Sequence, residues 1–307
     1  MTLHRIVAAL GGELYSGGRR ANVPAPGHSA GDRSVSLLLD GERLVIHGFG
    51  ASDWRAVRAD LLDRGLIDAA SRPLGGPSVP SSALSPRPDR LTRIAVARRI
   101  WDGASDGIEG TPSHRHLVRR AIHARPGDLC DLRHHPAAPV SVFRPDGATR
   151  PALVARIRDP AGALTAVELV YLDPGGRMAQ GLRLPRKTVG ALPPGAAVRL
   201  SPVAETLLVG EGVMTVLSAS AHFGLPGWAL LSARNLSVWT APPGVGRVLV
   251  AADRGAVGEA AGAALRRRLA AAGAPARLVL PPPPFGDWNE AAAARGKTAQ
   301  GRREEGR

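Results

Sequence analysis

The pattern of apolar and polar positions divides the chain into three blocks with different rhythms. In residues 1–68, LHRIVAAL reads as a short helix capped by Thr2 and stopped by Gly11 and Gly12. A polar loop follows. Two apolar runs, SVSLLLD and RLVIHGF, then meet at an Asp-Gly turn, which predicts a β-hairpin. Ser52 caps DWRAVRADLLDRG, where Trp54, Val57, Leu61 and Leu62 share one helical face and Gly65 ends the helix. Residues 69–89 are rich in Pro, Ser and Gly and read as a linker.

The second block, 90–200, reads as an α+β domain. RLTRIAVARRIWDG forms a helix, and Thr111 or Ser113 caps another built on HRHLVRRAI. PALVARIRD and LTAVELVYLD flank a Pro-Ala-Gly turn as a second hairpin, followed by the basic segment RLPRKTVG. In the third block, 201–294, strands (TLLVG, GWALLS, RVLVAAD, ARLVL) alternate with helices (VMTVLSASAHFG, GAVGEAAGAALRRRLAAAG, DWNEAAAA). That alternation predicts a parallel sheet flanked by helices, so the chain as a whole is α/β. The tail 295–307 is predicted to be a disordered basic segment.

The 307 residues are 44% hydrophobic and 21% charged, enough for a globular chain with a sizeable core. No apolar run reaches the length of a membrane span, and the N-terminus has no secretory signal, so the expected location is the cytoplasm and no membrane partner is expected. A single cysteine, Cys130, rules out a disulfide framework and any zinc site built from several thiolates. The formal net charge of +14 favours polyanionic partners, above all nucleic acid. The excess is spread along the chain and is almost entirely arginine, as a GC-rich coding bias would also produce, so charge alone leaves nucleic-acid binding open.

Acidic residues stand at the ends of two apolar strands of the third block: Glu211 after LLVG and Asp253 after VLVAA. The carboxyl ends of parallel strands line one edge of a sheet, where ligands bind. Asp287, in FGDWNE, follows the final strand. Clustered carboxylates on a basic protein call for a cation, and hard oxygen donors suit Mg²⁺ in phosphoryl transfer. The competing reading is that Asp253 merely caps the next helix, and the residues by themselves leave both open. Gly212, after Glu211, would permit a tight turn and a close ligand approach.

The segments LLVGEGVMTVLSA, RVLVAADRGAVGEAAG and FGDWNE, in this order and spacing, resemble a Toprim domain of the kind found in primase-like proteins of phages, plasmids and other mobile elements. LLSARNL, LPPPPFGDWNE and YLDPGGRMAQGLRLPRKTVG fit the same group. The resemblance implies that Glu211 is a general acid/base and a metal ligand, and that Asp253 is the first aspartate of an Asp-x-Asp metal motif. Asp287 would be a further ligand and Mg²⁺ the cofactor. Gly255 stands where the second aspartate belongs, so the site has one carboxylate fewer, with Glu259 a possible substitute.

Primases of this kind open with a zinc ribbon. VPAPGHSAGDRSVSLLLDGERLVIHGFGASDW resembles that ribbon with His28 at the histidine position, but Ala25, Gly48 and Ser52 stand where cysteines belong and Val23 at a neighbouring position. A tetrahedral site needs about four ligands, so no zinc is expected. A metal-free ribbon held by Leu37, Leu39, Val45, Phe49 and Trp54 is one reading; an ordinary hairpin is the other. His28 and His47 are then structural or surface residues.

Arg183, Arg186, Lys187 and Arg254 are candidates for holding DNA phosphates or a nucleotide, against a solvated strand end. His114 and His116, two apart on a helix, point to different faces and cannot share a metal. The pair His134–His135 is expected to be solvated and Cys130 inert. Of Arg266–Arg268 at least one faces solvent, and Trp228, Trp239 and Trp288 pack rather than stack on bases. The first functional expectation is Mg²⁺-dependent primer synthesis on DNA, with unwinding left to a separate helicase because no G-x-x-x-x-G-K-[ST] loop is present. The alternatives are an inactive Toprim protein that binds DNA or a replication partner, and a Toprim nuclease.

Overall fold

The structure, a computed structural model, describes residues 3–29, 32–48, 53–75, 88–143, 147–182 and 184–304. The chain forms two compact units, Met1–Arg87 and Pro88–Arg307. None of the helices among the described residues is long and apolar enough to cross a membrane.

Among the described residues, the first unit is a four-stranded antiparallel sheet with two helices. Helix α1 (His4–Leu10) begins at Leu3 with no side-chain cap, and Thr2 lies outside the described residues. Strands β1 (Glu13–Tyr15) and β2 (Arg20–Val23) occupy the segment expected to be a polar loop. They are three and four residues long, too short to show a period. They pair in order with the expected hairpin, β3 (Val35–Asp40) and β4 (Arg43–Gly48). Leu37 and Leu39 are in the core as expected. Val45 is not: Leu39 faces Leu44 and Leu37 faces Ile46 across the hairpin. That register turns Val45 to the other face, where it is 46% exposed. Trp54, 45% exposed, is also outside the core, with the Arg55 guanidinium over its ring.

Helix α2 (Trp54–Asp63) is capped by Asp53, whose carboxylate accepts the Arg55 N–H. Ser52 and Phe49 lie outside the described residues. The expected linker starts later than 69, because Ile67 bridges Pro73 and the Leu74 N–H donates to the Leu66 carbonyl.

Around His28 the loop is knitted by Asp32. Its carboxylate accepts the Ala25 N–H at 3.0 Å and the Ser34 hydroxyl at 2.5 Å, and meets His28 Nδ1 at 3.0 Å. Desolvation pushes this carboxyl up, but the hydrogen bonds and His28 outweigh it and hold it at about 2. Among the described residues no three His, Cys, Asp or Glu side chains converge to hold a metal.

The second unit joins two sheets. Helix α3 (Arg90–Asp102), capped by Asp89, and α4 (Pro112–Arg119), capped by Thr111, precede an antiparallel sheet. Its strands are β5 (Leu132–Pro139), β6 (Thr149–Arg158), β7 (Leu164–Tyr171) and β8 (Arg186–Gly190), in that order. One face, with Ala152, Val154, Val167 and Leu169, packs on Val96, Ala97, Ile100 and Trp101 of α3. The other, with Leu153, Ala155, Ile157 and Val170, shares a core with the C-terminal block. Burial on both faces explains why β6 and β7 read as nearly continuous apolar runs.

The second sheet runs β13-β12-β10-β11-β9, with β10 (Thr206–Gly210), β11 (Gly227–Ala229), β12 (Arg247–Ala251) and β13 (Ala276–Val279) parallel. The edge strand β9 (Val198–Arg199) is antiparallel to β11 and comes from the block expected to end as a separate domain at residue 200. Alternate residues of β10 serve two cores. Leu207 and Val209 pack with α6 (Ala233–Val238) and α7 (Ala256–Ala271), and Leu208 packs with α5 (Val213–Phe223) and Trp288. The final helix, α8 (Trp288–Glu304), extends to residue 304 of the tail expected to be disordered, a stretch whose Ala, Arg, Gln and Glu are strong helix formers.

His134 is a further correction. It is buried in β5 rather than solvated, with Nδ1 at 2.8 Å from the Ser113 hydroxyl, because β5 lies beside α4. Burial, with His135 and Arg115, lowers its pKa. Trp228, Trp239 and Trp288 are buried as expected.

Asp131 connects the two sheets and is fully buried. It accepts Arg156 Nε at 2.7 Å, Arg158 Nη2 at 2.8 Å and Nε at 3.0 Å, and the backbone N–H of Arg199 in β9 at 3.0 Å. The Arg156 and Arg133 guanidiniums cover the Trp101 ring at 4.6 and 4.4 Å. Both Asp131-paired arginine side chains are about a quarter exposed, so they can turn to water if the aspartate is lost. Asp131→Ala is therefore expected to cost about 2–3 kcal/mol, below the about 3–5 kcal/mol typical of breaking a fully buried pair. Chemical denaturation of the two chains checks it.

Candidate functional site

Glu211 and Asp253 stand one residue and two residues beyond the ends of neighbouring strands. Gly210 and Ala251 are paired across β10 and β12, which brings the two acids to the same carboxyl edge. The edge is crowded by design of its backbone. A Cβ on Gly210 would lie 2.7 Å from the Ala251 carbonyl oxygen. A Cβ on Gly258, in the first turn of α7, would lie 2.5 Å from the Asp253 carbonyl oxygen and 3.2 Å from Glu211 Oε1. Glycine is thus required at 210 and 258. Gly212, singled out from the sequence, has φ −92° and an ordinary environment, so it is not needed for the turn.

Both acids are partly buried and repel one another. Burial, then the Asp253 charge, pushes the Glu211 carboxyl up to about 7, against a hydrogen bond from the Ala233 N–H. Burial, then Asp287, pushes Asp253 up to about 6. Glu290 adds to this and a hydrogen bond from the Thr215 hydroxyl opposes it. Asp253 Oδ1 is buried without a hydrogen-bond partner. An orphaned carboxylate oxygen among like charges is an arrangement that a hard cation satisfies.

Asp287 and Glu290 also serve the fold. The Glu290 N–H donates to Asp287 Oδ1 at 2.7 Å, and the Gly286 N–H donates to Glu290 Oε2 at 2.8 Å, which caps α8. Glu259, considered as a substitute ligand, accepts the Gly255 N–H at 3.0 Å and caps α7. Between these acids Asn289, 3% exposed, donates to the Arg120 carbonyl at 2.7 Å and the Ser218 hydroxyl at 3.0 Å. The GDWNE stretch is therefore a structural clamp as well as an acidic segment.

The basic candidates separate. Arg254 is at the site: its N–H donates to the Gly286 carbonyl at 2.7 Å and its Nη2 to the Pro281 carbonyl at 2.5 Å, tying the turn after β12 to the loop before α8. Arg186 pairs with Glu168 at 2.7 Å, and Lys187 donates to the Val140 carbonyl at 2.5 Å and lies over the Tyr171 ring. Both are engaged within the antiparallel sheet. Arg183 lies outside the described residues. Arg268 donates to the Ser237 and Trp239 carbonyls, whereas Arg266 and Arg267 are exposed.

Sequence reasoning did not single out Thr215, the Ala233 N–H or Gly258. Thr215 lies four residues after Glu211, one helical turn on, and only the sheet brings it to Asp253. The position of Gly255 is equally informative. Its φ of 122° and ψ of 159° belong to a region that side-chain-bearing residues rarely enter. An aspartate there would strain the turn that aims Asp253.

Residues 206–298 match the family described as Toprim domain, and residues 92–200 match a domain of unknown function (DUF7146). No curated protein matches the chain. Among solved structures, the chain is similar to the zinc-binding and RNA polymerase domains of the Aquifex aeolicus primase, with 12% identity over 98% of this chain and 82% of that one and a TM-score of 0.47. The catalytic core of DnaG is 17% identical over 70% of this chain and 79% of that one, with a TM-score of 0.47. The primase fragment of the bacteriophage T7 primase-helicase protein is 16% identical over 91% and 98%, with a TM-score of 0.38.

Two outcomes follow for the acidic edge. A carboxyl raised on folding binds more protons folded than unfolded, so its contribution to stability is present at low pH and is lost as pH rises from about 4.5 through about 7 for Glu211. Glu211→Gln should therefore raise the thermal midpoint at pH 8 relative to the native chain, with the gain vanishing near pH 4.5. Gly255→Asp should destabilise the chain by about 1–3 kcal/mol through backbone strain, read by denaturation.

Proposed function

We propose that this chain, whose residues 206–298 form a Toprim domain, is a primase-like protein that binds single-stranded DNA and joins nucleotides in a Mg²⁺-dependent reaction. The observation that carries the reading is Asp253, with a buried, unpartnered carboxylate oxygen, beside a Glu211 held near neutral pKa on the carboxyl edge of a parallel sheet. A carboxyl at about 7 is suited to exchange a proton at neutral pH.

Glu211 and Asp253 are the residues that would hold Mg²⁺, with Asp287 contributing charge. When bound, the ion would offset their repulsion and stabilise charge on a transferring phosphoryl group. The chain offers few ligands, and Mg²⁺ commonly takes one or two carboxylates and completes its shell with water and substrate phosphates. The Glu211 carboxylate would accept a proton from the attacking hydroxyl. Thr215 and the Ala233 N–H orient the two acids, and Arg254 holds the loop that carries Asp287. The net charge of +14 supports DNA as the partner, with a separate helicase supplying unwinding and replication of a mobile element as the setting.

Gly255 in place of a second metal-binding aspartate supports a second reading, a Toprim protein that binds DNA or a replication partner without catalysis. The deciding experiment is ribonucleotide incorporation on a single-stranded DNA template in Mg²⁺. The expected result is primer synthesis that Glu211→Gln reduces by about 10²–10⁴-fold while DNA affinity is unchanged. DNA binding with no product would favour the inactive protein, and shortened DNA without added nucleotides would favour a nuclease.

A further inference from the structure

A cavity of about 490 Å³ opens at Leu225–Gly227, the amino end of β11, at the opposite end of the strands from Glu211. Part of its wall is core: Ile122, Leu200 and Leu217 are buried, and Leu225 and Pro226 continue the apolar surface toward β11. Its ionisable groups are all basic: His123 after α4, His222 in the last turn of α5, and Arg295 of α8. We infer that this cavity is a binding site for a small organic anion, an apolar or aromatic body carrying one carboxylate or equivalent acidic group. The site does not depend on the chemistry of the carboxyl edge.

Charge points to an anion. Among the described residues no Asp or Glu lines the cavity, and Arg295 meets a histidine in place of a carboxylate, with Nη1 at 3.3 Å from His222 Nδ1. Burial, then Arg295, lowers the His222 pKa, so this imidazole is neutral at pH 7 and accepts from the guanidinium. The guanidinium charge is thus left without a counter-charge at the mouth of an apolar space, where a planar carboxylate can be held at two points. Helix C-termini are ordinarily poor neighbours for an anion. At the ends of α4 and α5, however, the carbonyls are already engaged: that of Arg120 accepts Asn289 Nδ2 at 2.7 Å, and that of Ser220 accepts the Gly224 and Leu225 N–H groups.

The walls are fixed in place. Asn289 also donates to Ser218 Oγ at 3.0 Å, joining α8 to α5, and Ser201 Oγ accepts the Gly227 N–H at 2.8 Å, fastening β11. A Cβ on Gly227 would lie 2.7 Å from Val216 Cγ1 and would strike Ser220 Oγ, so β11 is pressed onto α5 here. Two polar atoms beside the cavity are buried without a hydrogen-bond partner: Ser220 Oγ in the wall, and Nε1 of Trp288, whose ring lies 5.3 Å from that of His222. Such atoms are uncommon in folded proteins and mark places where a ligand or ordered water belongs. A mostly apolar wall of this size with a few polar groups at one side is typical of sites for small organic ligands. A polyphosphate or nucleic-acid strand suits it poorly, because its phosphates would be buried against leucine with one fixed cation to meet them.

Calorimetry on the full chain with naphthalene-2-carboxylate and its uncharged analogue naphthalene-2-carboxamide tests the site. The expected result is that one carboxylate binds per chain, more tightly than the carboxamide. Arg295→Gln, at an exposed helical position, should weaken the carboxylate roughly tenfold and leave the carboxamide unchanged. Ala221→Trp, exposed on α5 and part of the wall, should weaken both by filling the space, with thermal midpoints reporting the fold of each variant. A carboxylate that does not bind, or whose affinity neither substitution changes, would overturn the site. Equal affinities for the two probes, indifferent to Arg295→Gln, would overturn the preference for an anion and the proposal with it. Displacement of the carboxylate by oligodeoxythymidylate would overturn the small-molecule assignment in favour of a nucleic-acid strand. Primer synthesis, judged by Glu211→Gln, stands or falls separately.

Discussion

The second unit depends on a single buried carboxylate. Asp131 lies with no exposure at the junction of β5, β6 and β9, and its hydrogen-bonding partners, Arg156, Arg158 and the Arg199 N–H, come from both sheets. A charge so buried is tolerated only when it is fully paired, and the pairing requires Arg156, Arg158 and the β9 backbone to be in place together. The same partners fasten the antiparallel sheet to β9, the edge strand that the parallel sheet draws from the preceding block. The apolar residues of β6, β7, β9 and α5 then form one continuous core beneath it.

The placement of β9 has consequences at the other end of the sheet. The loop leading into it, fastened by Asn235, becomes a wall beside the carboxyl edge where Glu211 stands. The edge itself concentrates like charge. Glu211, Asp253, Asp287 and Glu290 approach one another, and the chain relieves only part of the repulsion through Thr215, the Ala233 N–H and the two helix caps. What is left over, a raised Glu211 and an unpartnered Asp253 oxygen, is a site that gains by binding a cation or a proton. Stability given up at such a place is a common feature of functional sites.

Gly255 shows how backbone and chemistry are coupled. The residue that removes a carboxylate from the expected motif also occupies a conformation that favours glycine. Loss of the ligand and the shape of the turn therefore belong together, and a carboxylate restored there would carry backbone strain two residues from Asp253.

Much of this was legible in the residues. Period-two and period-3.6 patterns are local, so the hairpins β3–β4 and β6–β7, the helices α2, α3, α5 and α7, and the alternation that signals a parallel sheet could be read directly, as could Glu211 and Asp253 at the strand ends. Strand register is not local, and it sent Val45 to solvent and Leu44 to the core. The short strands β1, β2 and β9 show no period and lack the alternation with helices that revealed the equally short β11 and β13. The burial of His134 and Asp131, and the meeting of Thr215 and Gly258 with Asp253, arise between residues far apart in the chain or on different elements. The sequence by itself determined which segments become strands and helices and which acids end the strands, because those depend on near neighbours. Only the tertiary structure decided which charges lose water and which partners they find, because desolvation and pairing are set by whatever the rest of the chain packs against them.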